Sequence, residues 1–493
     1  MFSRSPSTLF VDPSDDVVHL STTDDTQTFR QVSFVACIFF QDVLAPPKLF
    51  DALNELLSSS REWRYLGGRL RLDPKTKRLQ VHVPQAFTKQ RPAFRYTHYD
   101  HGDVPITSSK SKAGFLSSLA ALPESAVSLL PSDTSVAHLF EDEGSPKTLN
   151  DWTKSEIPII SLHITCFSDA TCVGLKMPHT VADGSTARIV IYGWTQILAG
   201  KTPPPLPPRI PGKNKEAGET YIDAMATVAE GHNGEEAAIA PYRIRGFVLF
   251  LFIVTVVIDL ILNRREKKRL IHVPKAFVQS LHTKASQGLP EGEWVSQSDA
   301  VAAWLVKTAF PHSRFPRGVT FMQIIDLRGR HKRIPLTSLG NPMLRSPSWI
   351  DTSLGDAVLQ EGARAIRRAV QLHASKDELG RQAALRVAYG DYAFNFYRIN
   401  KSQFFSGDNG TSIKGQEMDW SGASYNDNSA MKSSAEVSPK WMWGIININR
   451  LPERNTSYMT RDREGAYWIQ LNLREKDWIA METDLADQAV IVG

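Results

Sequence analysis

Cysteine is scarce in this chain: only Cys37, Cys166 and Cys172 among 493 residues. Their apolar neighbours exclude a disulfide framework, and a reducing compartment is the expected home. Charge of one sign is scarce as well, since 57 Lys and Arg stand against 52 Asp and Glu. A net charge of +5 over this length makes no case for nucleic acid. It suits an anionic cofactor mildly, and solubility alone explains it equally well. The opening residues, Met-Phe-Ser-Arg-Ser-Pro-Ser-Thr, hold no apolar run, so no signal peptide is expected. The sequons at Asn400, Asn409 and Asn455 then read as incidental. A Gly-x-Ser-x-Gly elbow, a Walker motif, a dinucleotide fingerprint and a metal-ligand cluster are all missing. That argues against a serine hydrolase, a phosphate-loop enzyme, a nicotinamide enzyme and a metal site. What remains is an ordinary globular composition, 42% hydrophobic and 22% charged, in a chain long enough for roughly two to four domains.

The richest stretch is residues 159–183, followed by Gly184. Ile160, Leu162, Ile164 and Cys166 recur at period two on one face, with Ile159, His163 and Phe167 on the other. A turn at Ser168-Asp169-Ala170 separates this strand from a second. Beyond Gly184, Ala187, Val190, Ile191, Trp194 and Leu198 repeat at helical spacing, and Gly200 is placed to end the helix. His179 and Asp183 therefore fall where a buried strand gives way to a helix start. The pattern His-x-x-x-Asp-Gly is weak alone, because 13 histidines make about one chance match expected. One such decoy, His138-Leu-Phe-Glu-Asp142, lacks both the following Gly and the strand-turn-strand lead-in. In the better context His179 suits a general base, because an imidazole is mostly neutral near pH 7. Asp183 reads as a structural anion for an arginine. Gly184, lacking Cβ, lets backbone and substrate come close.

Residues 32–40 form an apolar run that reads as a strand buried on both faces. Pro46-Pro47 starts a helix striped by Leu49, Phe50, Leu53, Leu56 and Leu57. Residues 65–83 look like a bend and a hairpin. Six prolines between Pro203 and Pro211 open a linker, and a domain boundary belongs there. Residues 247–258 carry no charge, Asp259 interrupts the run before Leu260-Ile-Leu262, and basic residues flank both ends. Three placements stay open for this segment: a buried or cleft-lining helix, an in-plane membrane contact, or a span. Further on, Ser296 and Asp299 have capping-box spacing before a helix. Residues 319–325 read as a strand, 356–373 and 378–396 as helices, 440–448 and 466–473 as strands, and a last helix surrounds Trp478.

Seven short segments, in this order, carry a resemblance: Leu20-Ser-Thr-Thr-Asp24; Tyr65-Leu-Gly-Gly-Arg-Leu70; residues 164–183; Val295-Ser-Gln-Ser-Asp299; Asp326-Leu-Arg-Gly-Arg330; Gly340-Asn341; and Asp419-Trp-Ser-Gly-Ala423. The chain resembles, nearly end to end, the BAHD or HxxxD acyl-CoA-dependent acyltransferases, in the fungal branch of trichothecene acetyltransferase-like enzymes. The resemblance implies an α/β fold: two similar chloramphenicol-acetyltransferase-like domains, a crossover linker and an active-site channel between them. The expected division is an N-terminal domain over 1–200, a linker over 201–245, a hydrophobic helix over 246–270 and a C-terminal domain over 271–493.

The implied reaction is acetyl or acyl transfer from acyl-CoA to a hydroxyl of a small hydrophobic secondary metabolite, such as a terpenoid or polyketide. His179 would be the base and Asp183 would turn away to pair with Arg328, preferred over Arg330. Gly184, Asn341 and Asp419 would support the motif. No permanently bound cofactor, metal or nucleic acid is implied. The expected state is a cytoplasmic monomer, with a cytosolic membrane contact through residues 247–262 left open. Asp-Trp-Ser-Gly-Ala departs from the plant motif Asp-Phe-Gly-Trp-Gly, and Thr411-Ser412 sits at the wrong spacing for a Thr-Ser-Trp segment, so the oxyanion donor is unassigned. A condensation-type acyltransferase fits less well, because Pro178 stands where those have a second His. A silent or membrane-tethered binding scaffold of the same fold is the reading from another class. Acceptor identity, acyl chain and O- versus N-transfer are not legible in the sequence.

Overall fold

Alternate side chains of a strand point to opposite faces, and Val32–Phe40 uses both. Phe34, Ala36, Ile38 and Phe40 pack into one core, while Val35, Cys37 and Phe39 pack into another. The computed structural model describes residues 12–208, 224–310, 318–390, 403–411, 415–425, 436–449, 453–485 and 489–491. Part of the expected linker (209–223), the end of the helix expected over 378–396, Asn400 and Ser412 lie outside them.

Val32–Phe40 belongs to a five-stranded sheet with the order Trp441–Ile448, Val32–Phe40, Thr171–Pro178, Ser161–Cys166, Arg95–Asp100. The hairpin expected around residues 168–170 is present: Ser161–Cys166 pairs antiparallel with Thr171–Pro178, from Ser161 opposite Lys176 to Cys166 opposite Thr171. One face of this sheet is covered by the helices Pro46–Ser58 and Gly184–Leu198, which bury Leu49, Leu53, Val190 and Trp194. A three-stranded sheet of Asp16–His19, Leu79–Val83 and Arg69–Leu72 closes the same core.

The second large sheet has eight strands in the order Met343–Asp351, Gly318–Asp326, Gln403–Asn409, Thr456–Arg461, Tyr467–Arg474, Glu266–Val273, Val127–Leu130, Ala489–Ile491. Helix Gln297–Ala309 lies in its core, nearly all of it buried, and Ser296 with Asp299 closes the capping box at its start. A third core joins the sheets, where Phe39 and Trp441 of one meet Leu270 and Trp468 of the other.

Sheet membership departs from chain order in two places. Trp441–Ile448 pairs with Val32–Phe40, and Val127–Leu130 pairs with Glu266–Val273. Each half of the chain thus lends a strand to the sheet built mainly by the other.

The apolar segment forms the helix Phe247–Leu262, and it is not a core helix: Phe247 is 73% exposed and Leu262 is 74% exposed. No helix among the described residues is long and apolar enough to cross a membrane.

Candidate active site

His179 follows the last residue of Thr171–Pro178, so the strand fixes where it stands. Its N–H donates to the carbonyl of Val32 at 2.9 Å, continuing the ladder one step beyond the strand. The imidazole stacks on Phe29 with centroids 4.5 Å apart and meets the edge of Phe34 at 5.7 Å. Nδ1 is buried without a hydrogen-bond partner. Burial pushes the His179 pKa below the usual imidazole value, and the nearby Asp183 charge only partly opposes this. The ring is therefore held neutral at pH 7, the form a general base needs.

Asp183 does not face the ring. It is the N-cap of helix Gly184–Leu198, and its Oδ1 accepts from the Thr186 N–H at 2.7 Å. Both its oxygens accept from Arg328, Oδ2 from Nη1 at 2.8 Å and Oδ1 from Nη2 at 2.9 Å. The Arg328 side chain is 3% exposed, and all its donors have acceptors. Nε donates to the Ser338 carbonyl at 2.6 Å, Nη2 to the Gly340 carbonyl at 2.7 Å, and Nη1 to Asp326 at 3.0 Å. Burial works against the guanidinium charge, but Asp183 and Asp326 outweigh it and hold its pKa above the ordinary value. Arg330, two residues on, donates instead to the Asp326 carbonyl from an exposed position.

Asn341 ties three distant segments together. Its side-chain amide donates to the His179 carbonyl at 2.9 Å and to Asp24 Oδ1 at 2.9 Å, while its N–H donates to the same Asp24 oxygen at 2.7 Å. A parallel bridge between Ala182 and Gly340 runs alongside. The loop carrying His179 is thus clamped between the start of the chain and a loop of the C-terminal half.

Asp419 stands apart. It is exposed and accepts from Ser421 N and Oγ, both at 2.9 Å. The buried member of that motif is Trp420, packed edge-on to Phe40 and Trp194. A Cβ on Gly422 would meet the Leu198 carbonyl oxygen at 2.1 Å, so glycine is what lets this motif close on the end of helix Gly184–Leu198.

A cavity of about 150 Å³ opens between the two large sheets. His179, Asp183, Gly184, Ser185 and Asp326 supply its polar side; Phe34, Ile324, Met343 and Ile446 supply apolar walls. Sequence reasoning missed two residues here. Asp408, in the strand Gln403–Asn409, lines the cavity with Oδ1 buried and unpartnered, and burial raises its pKa. Tyr458 lines it from Thr456–Arg461, and burial raises its pKa too. Neither lies in a recognisable motif. No periodicity marks either segment as a strand in the sequence, so nothing there set the two residues apart.

The competing readings have structural homes elsewhere. In the decoy segment, Asp142 makes a bidentate pair with Arg95 at 2.5 Å, and Glu141 pairs with the buried Lys176. Neighbouring Phe140 sits so close to Gly174 that a Cβ there would lie 1.8 Å from its carbonyl oxygen. His163 is held by Thr97 and Thr165, with its pKa lowered by burial to about 4. All three thiols are buried, and burial pushes Cys166 up to about 11 and raises Cys37 and Cys172 well above the ordinary thiol value, so none is an active nucleophile. No group of three or more metal-ligating side chains occurs among the described residues.

Two α/β units meeting at a histidine-bearing cavity define a two-domain acyltransferase fold. The Transferase family profile matches residues 125–402, more than half of the chain, and the chain belongs to this family of BAHD-type acyltransferases. It is similar to the acetyltransferase pyiB of Pyricularia grisea, 28% identical over 95% of this chain and 93% of the relative. A protein of Penicillium decumbens named transcriptional regulator calD is 26% identical over 99% of this chain and 98% of its own length. Among solved structures, TRI101 of F. graminearum, complexed with coenzyme A and T-2 mycotoxin, shares the fold with a TM-score of 0.66. That match is 11% identical and covers 95% of this chain and 97% of that one.

Proposed function

We propose that this enzyme transfers an acyl group, acetyl first among them, from acyl-CoA to a hydroxyl of a small hydrophobic secondary metabolite. The observation that carries the reading is His179, held neutral by burial in a cavity with apolar walls, while Asp183 is turned away into the Arg328 pair. His179 takes the acceptor's proton as that oxygen attacks the thioester carbonyl. The tetrahedral intermediate then collapses, the carbon–sulfur bond breaks, and the CoA thiolate recovers the proton from the imidazolium. Asp183 and Arg328 position the loop. Gly184, Asn341 and Asp419 are taken as structural support, Asn341 through the carbonyl of His179 itself. The names pyiB and TRI101, with the coenzyme A and mycotoxin of the latter, support the donor and acceptor classes. In chain order the organisation is an N-terminal domain over 1–200, a linker over 201–245 and a C-terminal domain over 271–493, with one strand exchanged each way. The hydrophobic helix expected over 246–270 ends at Leu262, and Glu266–Val273 is a strand of the eight-stranded sheet.

The test is release of free thiol from acetyl-CoA against a panel of hydrophobic alcohols, wild type beside His179→Ala. Release should require both an alcohol and His179; folded His179→Ala with wild-type turnover would remove the base assignment. The second reading, a binding scaffold with the same fold, is favoured by the calD name. Folded wild-type protein that fails to bind CoA would move it ahead.

A further inference from the structure

The helix Phe247–Leu262 is built inside out. On a helix at the surface of a globular protein, apolar residues normally face inward and charged ones outward. Here the one charge, Asp259, faces inward, where Arg454 Nη1 donates to Oδ2 at 2.6 Å and Arg474 Nη1 donates to Oδ1 at 3.1 Å. Leu249, Phe252, Val256 and Leu260 share that half-buried side, at helical spacing. The opposite side carries Phe247, Phe250, Ile253, Val257, Ile261 and Leu262, between 46% and 74% exposed. Thr255 is the polar residue on this outer side, and its hydroxyl is already satisfied by the Leu251 carbonyl at 2.8 Å. A continuous apolar face of this kind marks an interaction site.

The charges around it select the occupant. Arg245 precedes the helix, and Arg264, Arg265 and Lys267 follow it, all exposed. Glu266 is engaged by Arg454 at 3.3 Å, and Glu475 offsets only Arg265, at 3.6 Å, so Arg264 and Lys267 leave this end in cationic excess. Two copies of the chain joined through this face would set cation against cation, whether the helices ran parallel or antiparallel. Anionic lipid headgroups match both ends. Sixteen residues make about 24 Å of helix, short of the roughly 30 Å hydrocarbon core, so the geometry suits lying in the interface and not crossing it.

We propose that Phe247–Leu262 docks the enzyme in the plane of a bilayer surface rich in anionic lipid, its outer face among the acyl chains and its flanking arginines at the headgroups. This docking is independent of the acyl-transfer reading. The test is flotation of the full chain with phosphatidylcholine vesicles, with and without phosphatidylserine. Wild type should float, and more strongly when phosphatidylserine is present. Phe250→Asp with Ile258→Asp should stay in the soluble fraction while melting like wild type, since both side chains are exposed. Arg264→Gln with Arg265→Gln should weaken binding to anionic vesicles about fivefold per arginine and leave binding to neutral vesicles unchanged. Folded wild type that floats with neither vesicle, or an aspartate variant that floats as well as wild type, overturns the proposal. So does a concentration-dependent wild-type dimer, formed without vesicles and lost in the aspartate variant, which would assign the face to a second copy.

Discussion

Two carboxylates lie near His179, and they are held in opposite ways. Asp183 caps a helix and receives two parallel hydrogen bonds from a buried guanidinium. Asp408 reaches the same cavity from the other sheet, with Oδ1 buried and bare, and its pKa is raised by burial against the opposing pull of Arg345 and His179. Proximity to the histidine therefore does not assign a carboxylate its role. Partners do: Asp183 is fixed in place because a guanidinium holds both its oxygens, whereas Asp408 lines the cavity with one oxygen, Oδ1, that nothing bonds.

The comparison breaks most visibly on the Asp183 side. Arg328→Ala leaves Asp183 and Asp326 without their guanidinium, and truncating a buried pair costs about 3–5 kcal/mol. Chemical denaturation should show a loss of that size, with Arg328→Lys restoring only part because an ammonium cannot supply the two parallel bonds. A wild-type midpoint for Arg328→Ala would show that the pair does not hold the loop.

Asn341→Ala should come next, about 1–3 kcal/mol, since it removes the amide that bridges Asp24 to the His179 carbonyl. Turnover should fall further than the melting temperature suggests; equal losses would mean the clamp does not position the histidine.

Asp408 should behave in the reverse sense. A carboxyl with a raised folded pKa contributes stability below its unfolded pKa and loses it as pH rises through the folded value. The raised pKa thus costs stability at neutral pH, and Asp408→Asn should be more stable than wild type there. The advantage should fade below about pH 4, where both states of the wild-type group are protonated. A destabilised Asp408→Asn at pH 7 would mean the charge has a partner.

The smallest effect concerns pH. With the His179 pKa depressed by burial, the acid limb of kcat/KM should lie below the ordinary imidazole value of about 6.5. Asp408 raises the His179 pKa by its charge, so Asp408→Asn should move the limb lower still. A limb that stays put would separate the two groups electrostatically.

Much of the fold was legible because it is written locally. The hairpin 161–178, the strand Val32–Phe40, the proline-started helix at Pro46 and the capping box at Ser296 each depend on neighbours a few residues away. So does the placing of His179 at a strand end and Asp183 at a helix start. Strands such as Arg95–Asp100 and Gln403–Asn409 were not legible: one is a polar edge strand, the other runs Gln-Phe-Phe-Ser-Gly-Asp-Asn, and both are extended because parallel neighbours hold them.

The sequence by itself determined the local elements, the setting of His179 and Asp183, and, through seven ordered segments, the family resemblance. Only the tertiary structure decided which strands exchange between sheets, that Asp24 and Asn341 clamp the loop carrying His179, that Asp408 lines the cavity, and that Phe247–Leu262 turns its apolar side outward. Periodicity orients a side chain relative to its own element, and a segment apolar all round has none to read. Which element comes to lie against another is set by packing between residues hundreds of positions apart.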